Sequence, residues 1–358
     1  MVRRGGPRAD CADTIAYMTT KLKFRALPFL LAAVAMLAVP AAAQATLTYV
    51  KGTAKQVVYT ASDNGKSPHR IGPGRSPKVS PDGELVAFER EAKHDELKLA
   101  NADGSHVRTL LKNLRGGYNV VFSPDSSMVA ALRGPELGKA KLVVVDVETG
   151  AQLTVASGYI YGISFSPESD ELVYSKAPNE NYPPRADVYR YTIASGQTKR
   201  LTKDRNSLYP LWGPTGKIVF VKQLGAKQRK YAPKNELYVM NPDGSGVKRL
   251  THTEVGPLML GLEPTAWSED GNRLLAEFVG QDTSYAVTVN PKTGAQRTVR
   301  TPNKYEFVGT AISADGDSIL GFTGGFEPGP KHNVVSVPYT GGKPKTLVKQ
   351  AFEPDWSR

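Results

Sequence analysis

Cysteine is almost missing from this chain: 358 residues hold one, Cys11. An intramolecular disulfide framework and a thiolate metal cluster are therefore excluded. Histidine is sparse as well. The five are His69, His94, His106, His252 and His332, and no two stand in an HxH or HxxxH pair, the spacings that carry metal on one face of a strand or helix. No GxSxG nucleophile elbow and no complete EF-hand loop occur. No helical hydrophobic period interrupts residues 47–357. No apolar run reaches the roughly 20 residues of a membrane-spanning helix. Acidic residues are outnumbered, 34 against 46 basic ones, for a net charge of +12.

What the chain has is one short phrase, repeated. A hydrophobic residue or two leads into a Ser-Pro-Asp-Gly-like turn and then an aliphatic strand. The copies are KVSPDGELVAF from Lys78, VFSPDSSMVAA from Val121, SFSPESDELVYS from Ser164, LWGPTGKIVFV from Leu211, AWSEDGNRLLAEF from Ala266, AISADGDSILGF from Ala311 and a truncated PDWSR. The anchors fall at Ser80, Ser123, Ser166, Gly213, Ser268, Ser313 and Ser357, at intervals of 43, 43, 47, 55, 45 and 44. A period of about 40–50 residues is that of a four-stranded propeller blade. Within each interval lies a second turn with a late glycine, such as LANADGS (Leu99–Ser105) or VMNPDGS (Val239–Ser245). Glycine there accepts positive φ at little cost. Each unit therefore reads strand a, SPDG-like turn, strand b, variable loop, strand c, second turn, strand d.

The two ends complete each other. Phe352–Ser357 reads as a strand a with nothing after it, and residues 47–71 read as strands b, c and d with none before them. Joined, they make one blade and remove the exposed sheet edges that unpaired ends would leave. The expected fold is all-β: a seven-bladed β-propeller closed by pairing a C-terminal strand with N-terminal strands. It occupies residues 46–358, behind an extension and signal peptide at 1–45.

The run Glu236-Leu-Tyr-Val-Met-Asn-Pro-Asp-Gly-Ser-Gly-Val-Lys-Arg-Leu-Thr251 resembles the strand c, turn and strand d of the TolB-type, WD40-like propeller repeat, and the resemblance extends over about residues 47–357. It implies a propeller and, through the Tol system, a role in the cell envelope. TolB itself has six blades behind an α/β domain. Here the count is seven, and the reading is of the propeller only. Similar seven-bladed propellers include oligogalacturonate lyases, which implies a histidine-held metal. Only His94, His252 and His332 map to the loop face, in units that are not neighbours, so no metal and no cofactor are assigned. The propellers of prolyl-oligopeptidase-type enzymes are also similar, but the serine chemistry of those enzymes has no counterpart here.

Thr20–Ala45 has the build of a secretory signal. Lys21, Lys23 and Arg25 precede the apolar Ala26–Val39, and small residues follow at 40–45. Residues before Met18 read as an upstream extension. Cleavage after Ala43 or Ala45 discards Cys11 and leaves a domain of about +8. The expected location is periplasmic or secreted, with no transmembrane span in the mature chain and a monomeric domain. A basic surface favours anionic partners by long-range attraction. A protein segment or an envelope glycan fits that better than nucleic acid.

Asp82, Asp125, Asp243, Asp270 and Asp315 sit in the tight turns, where aspartate satisfies backbone donors; no catalytic residue is assigned. The opposite face carries the long loops 177–186, 223–234, 252–263 and 324–332, where repeat proteins place recognition. Tyr182, Arg185, Lys227, Arg229, Lys230 and Tyr231 mix aromatic contact area with cationic hydrogen bonding. The channel mouth should be formed by residues four or five before each anchor: Ser76, Tyr118, Asn119, Tyr161, Tyr209, Glu263 and Glu353, with Tyr159 and Glu306 slightly further out. Glu263 and Glu353 occupy matching places two units apart and could act as an acid–base pair or as cation ligands. The binding residues expected are thus Tyr182, Arg185, Tyr209, Arg229, Lys230, Tyr231, Glu263 and Glu353. A non-catalytic binding scaffold is favoured, and a lyase or hydrolase acting on an anionic saccharide is the alternative.

The targeting reading has a direct test. Intact-mass measurement of the protein recovered from the envelope fraction should give a chain beginning at Gln44 or Thr46. A cytosolic chain that still contains Cys11 would refute it.

Overall fold

Each Ser-Pro-Asp-Gly copy forms a small hydrogen-bonded knot that joins two strands. The Ser80 hydroxyl accepts the amide of Leu85 at 2.9 Å and donates to Asp82 at 2.5 Å. Asp82 in turn accepts the amide of Glu84 at 3.0 Å, and Gly83 takes a φ of +78° between them. The same serine–aspartate bond recurs at Ser123–Asp125 (2.6 Å), Ser268–Asp270 (2.6 Å) and Ser313–Asp315 (2.5 Å). These carboxylates are thus occupied with turn donors. The knots also touch across sheets: the Asp82 amide donates to Ser126 Oγ at 3.2 Å, and the Asp125 amide to Ser169 Oγ at 3.1 Å.

In the computed structural model of the chain the described residues are 45–116, 120–225, 233–256, 258–280, 283–300, 307–324 and 332–357. They lie in one compact unit, Ala41–Arg358. Apart from one short 3-10 turn at Leu137–Lys139, every regular element among them is a strand. The strands form five four-stranded antiparallel sheets and one eight-stranded sheet. The eight-stranded sheet spans Ser207–Trp212 to Gln296–Thr298, where the repeat predicts two separate units. Two such units are indeed present, joined by a single parallel bridge between Asn235 and Gly261. The bridge depends on glycine: a Cβ at Gly261 would stand 2.4 Å from the carbonyl oxygen of Asn235.

The C-terminal strand Ala351–Trp356 pairs antiparallel with Thr46–Lys51 and stands first in a sheet completed by Val57–Ser62 and His69–Pro73. The junction copies the internal knots. Ser80 N–H donates to Leu85 O at 2.9 Å, and Ser357 N–H donates to Thr46 O at 2.9 Å. Ser357 Oγ accepts the Thr46 amide at 2.7 Å, as Ser80 Oγ accepts that of Leu85. Thr46 thus takes the place of a residue five positions on in the chain, although it lies 311 positions away.

Apolar residues alternate along the strands, and their clusters lie between consecutive sheets. Ala87, Leu97 and Leu111 pack against Val129, Val143 and Val145 of the next sheet. Ala130, Leu132 and Val144, on the other face of that sheet, meet Ile160, Phe165 and Leu172. The sheet containing both chain ends is covered on each side, by Val86, Phe88 and Ala100 on one and by Leu320, Val334 and Val348 on the other. Burial on both faces is the main stabilisation, at roughly 25 cal/mol per Å2 of apolar surface removed from water.

The run that resembles the TolB-type repeat has a structural role. Glu236 is fully buried and takes Arg249 at 3.0 Å, Lys234 at 2.8 Å and the Thr251 hydroxyl at 2.6 Å. Asp187 makes the matching set with Arg200 and Thr202. Each carboxylate ties the start of strand c to the end of strand d, its burial offset by several charged hydrogen bonds.

Deleting Ala351–Arg358 should destabilise the domain more than any point change in it, because it exposes an edge and two apolar faces. Trp356 is half-buried against the sheet that contains Leu320 and Val334. Trp356→Ala should cost about 2–4 kcal/mol, below the full range for a buried aromatic. Urea unfolding measures both, and an unchanged midpoint for the deletion would refute the role of the terminal strand.

Candidate functional site

The first strand of each unit, the strand that leads into its anchor and is called inner below, contributes to the lining of a cavity of about 770 Å3. The residue just before each anchor lines it: Val79, Phe122, Phe165, Trp212, Trp267, Ile312 and Trp356. At the end where these strands enter their turns stand Pro81, Pro124, Pro167 and Pro214. At the other end stand Tyr209 and Glu263.

That second end is shaped by bulges. The register of the inner strands shifts between Arg75 and Lys78, Tyr161 and Ile163, Leu208 and Leu211, and Pro264 and Ala266. Four residues before the anchor the backbone turns left-handed, with φ +48° at Ser76, +64° at Gly162, +47° at Tyr209 and +48° at Glu353. For a residue with a Cβ this costs on the order of 1 kcal/mol or more. A bulge re-aims its side chain, and here it does so at the rim of a cavity. Gly162 has to be glycine, because a Cβ there would meet Tyr209 Cα at 2.6 Å.

Tyr209 is the aromatic wall of this end. Its ring meets Tyr161 edge to face, with centroids 6.3 Å apart at 87°. Burial, followed by the nearby charge of Glu263, holds its hydroxyl well above the usual tyrosine range. Glu263 lies directly across from Glu277 in the strand register. Burial and the Glu277 charge push Glu263 up to about 7. Burial also raises Glu277, against the opposing hydrogen bond from Ser284. Asn235, brought here by its bridge to Gly261, donates from Nδ2 to Glu263 Oε1 at 3.2 Å. It is 1% exposed, and its Oδ1 has no partner among the described residues. None of the ion pairs among the described residues involves Glu263 or Glu277.

Glu353 stands elsewhere, on a small cavity of about 50 Å3 that it shares with Ser76, Lys78 and Glu89. It accepts the Ser76 amide at 2.7 Å. Burial raises its pKa, Glu89 adds to the rise, and Arg75 and Lys78 oppose it. Arg75 also bonds Glu89 at 3.2 Å. Neither Glu263 nor Glu353 is among the charges that shift the other. The structure thus brings Tyr209, Tyr161 and Glu263 together and keeps Glu353 apart from them.

Of the loop-face residues, Tyr182 is 80% exposed, and Arg185 is exposed. Arg229, Lys230 and Tyr231 lie outside the described residues, as do Tyr118, Asn119, Lys227 and Glu306. His332 is buried between Phe322 and Phe352, with Nδ1 2.9 Å from Thr323 O. His94 borders a separate cavity with Lys93, Arg133, Lys139 and Lys141. Among the described residues no group of three or more His, Cys, Asp or Glu could hold a metal ion.

Solved structures share this architecture. The β-propeller domain of the Trilobed protease from Pyrococcus furiosus matches with a TM-score of 0.63 at 15% identity, over 85% of this chain and 92% of that one. The chain has a β-propeller fold. TolB from Acinetobacter baumannii matches at 0.55 and 17% identity, over 87% of this chain and 82% of its own. An oligogalacturonate lyase from Vibrio parahaemolyticus matches at 0.55 and 17% identity, over 85% and 84%. At these identities the likeness establishes the fold alone. No family model and no curated protein matches the chain.

Sequence reasoning missed Glu277, Asn235 and Ser284. A signal for Glu277 was there: it is the one charge inside the run LLAEFVG. Nine residues after the anchor, it is also the counterpart of Glu89 and Ser175, both buried polar groups that reach toward an inner strand.

The raised carboxyl carries a pH dependence. Between the ordinary glutamate range and about pH 7 the folded chain keeps a proton on Glu263 that the unfolded chain has released. Raising the pH through that window therefore lowers stability. Glu263→Gln should remove this slope, losing less stability between about pH 5 and pH 8 than the wild type by on the order of 1–3 kcal/mol. Urea denaturation at the two pH values measures it, and parallel losses would show that Glu263 titrates normally.

Proposed function

We propose that the protein is an exported, non-catalytic binding scaffold that receives an extended protein segment at the tyrosine–glutamate end of its channel. The reading takes residues 46–358 as a seven-bladed propeller whose ring is closed by the terminal strand, behind a signal peptide at 1–45. Its support is the lining of one cavity by the residue before each of the seven anchors. The packing of the chain-end sheet on both faces points the same way. A cavity of about 770 Å3 that combines aromatic walls with polar and charged side chains has the size of a ligand site. Tyr182 and Arg185, with Arg229, Lys230 and Tyr231, form the outer contact surface in this reading, and the basic charge steers an anionic partner surface toward it. A periplasmic or secreted location fits, and among the described residues no helix is long and apolar enough to cross a membrane.

The oligogalacturonate lyase likeness keeps one other reading in view, an enzyme acting on an anionic saccharide. The experiment separates the two. A photo-crosslinking residue placed at position 182 in the mature domain should capture a polypeptide from envelope extract. Capture should fall about tenfold with Tyr209→Ala or Arg185→Glu, as for interface anchors, and be unaffected by Asp82→Asn. Capture indifferent to the first two changes, or release of unsaturated sugar from polygalacturonate by the wild type, would overturn the scaffold reading.

A further inference from the structure

The chain contains two carboxyl pairs near its channel and treats them differently. Glu89 and Glu353 are answered from within. Arg75 bonds Glu89 at 3.2 Å and Asp95 at 3.3 Å, and the Ser76 amide donates to Glu353 at 2.7 Å. Glu263 and Glu277 face each other in register across adjacent strands. Like charges directly opposite are destabilising, and no lysine or arginine among the described residues pairs with either. Among the described residues their hydrogen-bond partners are neutral: Asn235 on Glu263 and Ser284 on Glu277. Asn235 is 1% exposed, and its Oδ1 has no partner among the described residues.

We propose that this end of the channel binds a cationic side chain, lysine or arginine, carried by the segment that enters the cavity. The inference rests on the scaffold reading and names the chemistry of its anchor. Glu263 lines the cavity and meets the cation. Glu277, behind it in the register, adds a second negative charge, and Asn235 holds the Glu263 carboxylate. The Tyr209 ring, braced edge to face by Tyr161, offers a π face that attracts a desolvated cation. The arrangement repeats what the chain does at Glu89, where Arg75 supplies the guanidinium. It also gives a basic protein a local site for positive charge, which long-range attraction alone would not place there.

Among the described residues the groups that face Glu263 are Glu277, Tyr209 and Asn235, with the Tyr161 ring against Tyr209. Only the carboxyls change charge between about pH 5 and pH 8. Protonating Glu263 removes the attraction, so affinity for a cation must fall as pH falls through about 7.

Blocked peptides of the form Gly-Gly-X-Gly-Gly, with X as lysine, arginine, norleucine or glutamate, are the probe. Calorimetry with the mature wild-type domain at low salt and about pH 8 should show lysine and arginine peptides binding at least about tenfold tighter than the norleucine one. That preference should shrink about tenfold at about pH 5.5 and vanish in Glu263→Gln. Glu277→Gln should reduce it partially, with unfolding midpoints reporting that both variants remain folded. If norleucine binds as well as lysine, the channel takes a segment but the cationic anchor is wrong. If no peptide binds while the crosslinked segment is still captured in Glu263→Gln, the anchor is also wrong and the scaffold reading survives. Loss of capture in Tyr209→Ala together with a lysine preference absent at both pH values would likewise reject the cation site.

Discussion

Every sheet in this chain has two apolar faces, and each face is buried only by a neighbouring sheet. That requirement governs the rest. A row of such sheets would leave an uncovered face at each end, and neither end sheet could be stable alone. The chain meets the requirement by making its first sheet from both termini. Leu47 and Tyr49 then pack toward Leu320 and Val334, while Val50 and Val58 pack toward Val86 and Phe88. One sheet is covered twice because residue 357 and residue 46 share the hydrogen bonds that elsewhere join positions five apart. A local loss at the junction is therefore felt in two apolar clusters.

The same constraint makes the cavity. Sheets that pack face to face in turn bring their first strands together, and those strands cannot close on one another without crowding their side chains. Bulges relieve the crowding at one end. They turn the backbone left-handed four residues before the anchor, and they accept a penalty at Ser76, Tyr209 and Glu353 where glycine would carry none. Side chains held at such a penalty are set in place by surrounding hydrogen bonds. Ser175 Oγ takes the Tyr209 amide at 3.2 Å, and Asp355 takes the Val79 amide at 3.1 Å. Polar side chains of the neighbouring sheet therefore hold the backbone of positions that line the cavity.

The architecture was legible because it is written in turn chemistry. Ser-Pro-Asp-Gly needs its serine and aspartate for the knot, and its recurrence about every 43–55 residues marks successive sets of antiparallel strands. The orphan anchor at Trp356–Ser357 was readable for the same reason. The site was only half legible. Tyr209, Tyr161 and Glu263 follow from their offset to the anchor, since a bulge acts at a fixed place in each repeat. Pairing Glu263 with Glu353 does not follow from that offset. Glu263 stands five residues before its anchor and Glu353 four, and each carboxyl finds its partner in its own neighbourhood. Glu277 and Asn235 escaped because their role depends on register across strands and on a single bridge between two sheets. The bridge merges units that the repeat keeps separate, and no spacing within one copy encodes it.

What distinguishes the two carboxyl pairs is which strand supplies the countercharge. At Glu89 it comes from Arg75 on the adjacent inner strand, directly across in the register. At Glu277 the facing residue on the inner strand is Glu263, so the position that holds arginine in one unit holds glutamate in the other. A purely structural demand would favour the arginine, or a neutral residue, since two facing carboxyls in a half-buried site weaken the fold at neutral pH. The repeat shows that the neutralised arrangement is available to this backbone. Among the described residues the second pair keeps no such countercharge, beside the aromatic wall of the cavity, and it costs stability at a place that lines the cavity.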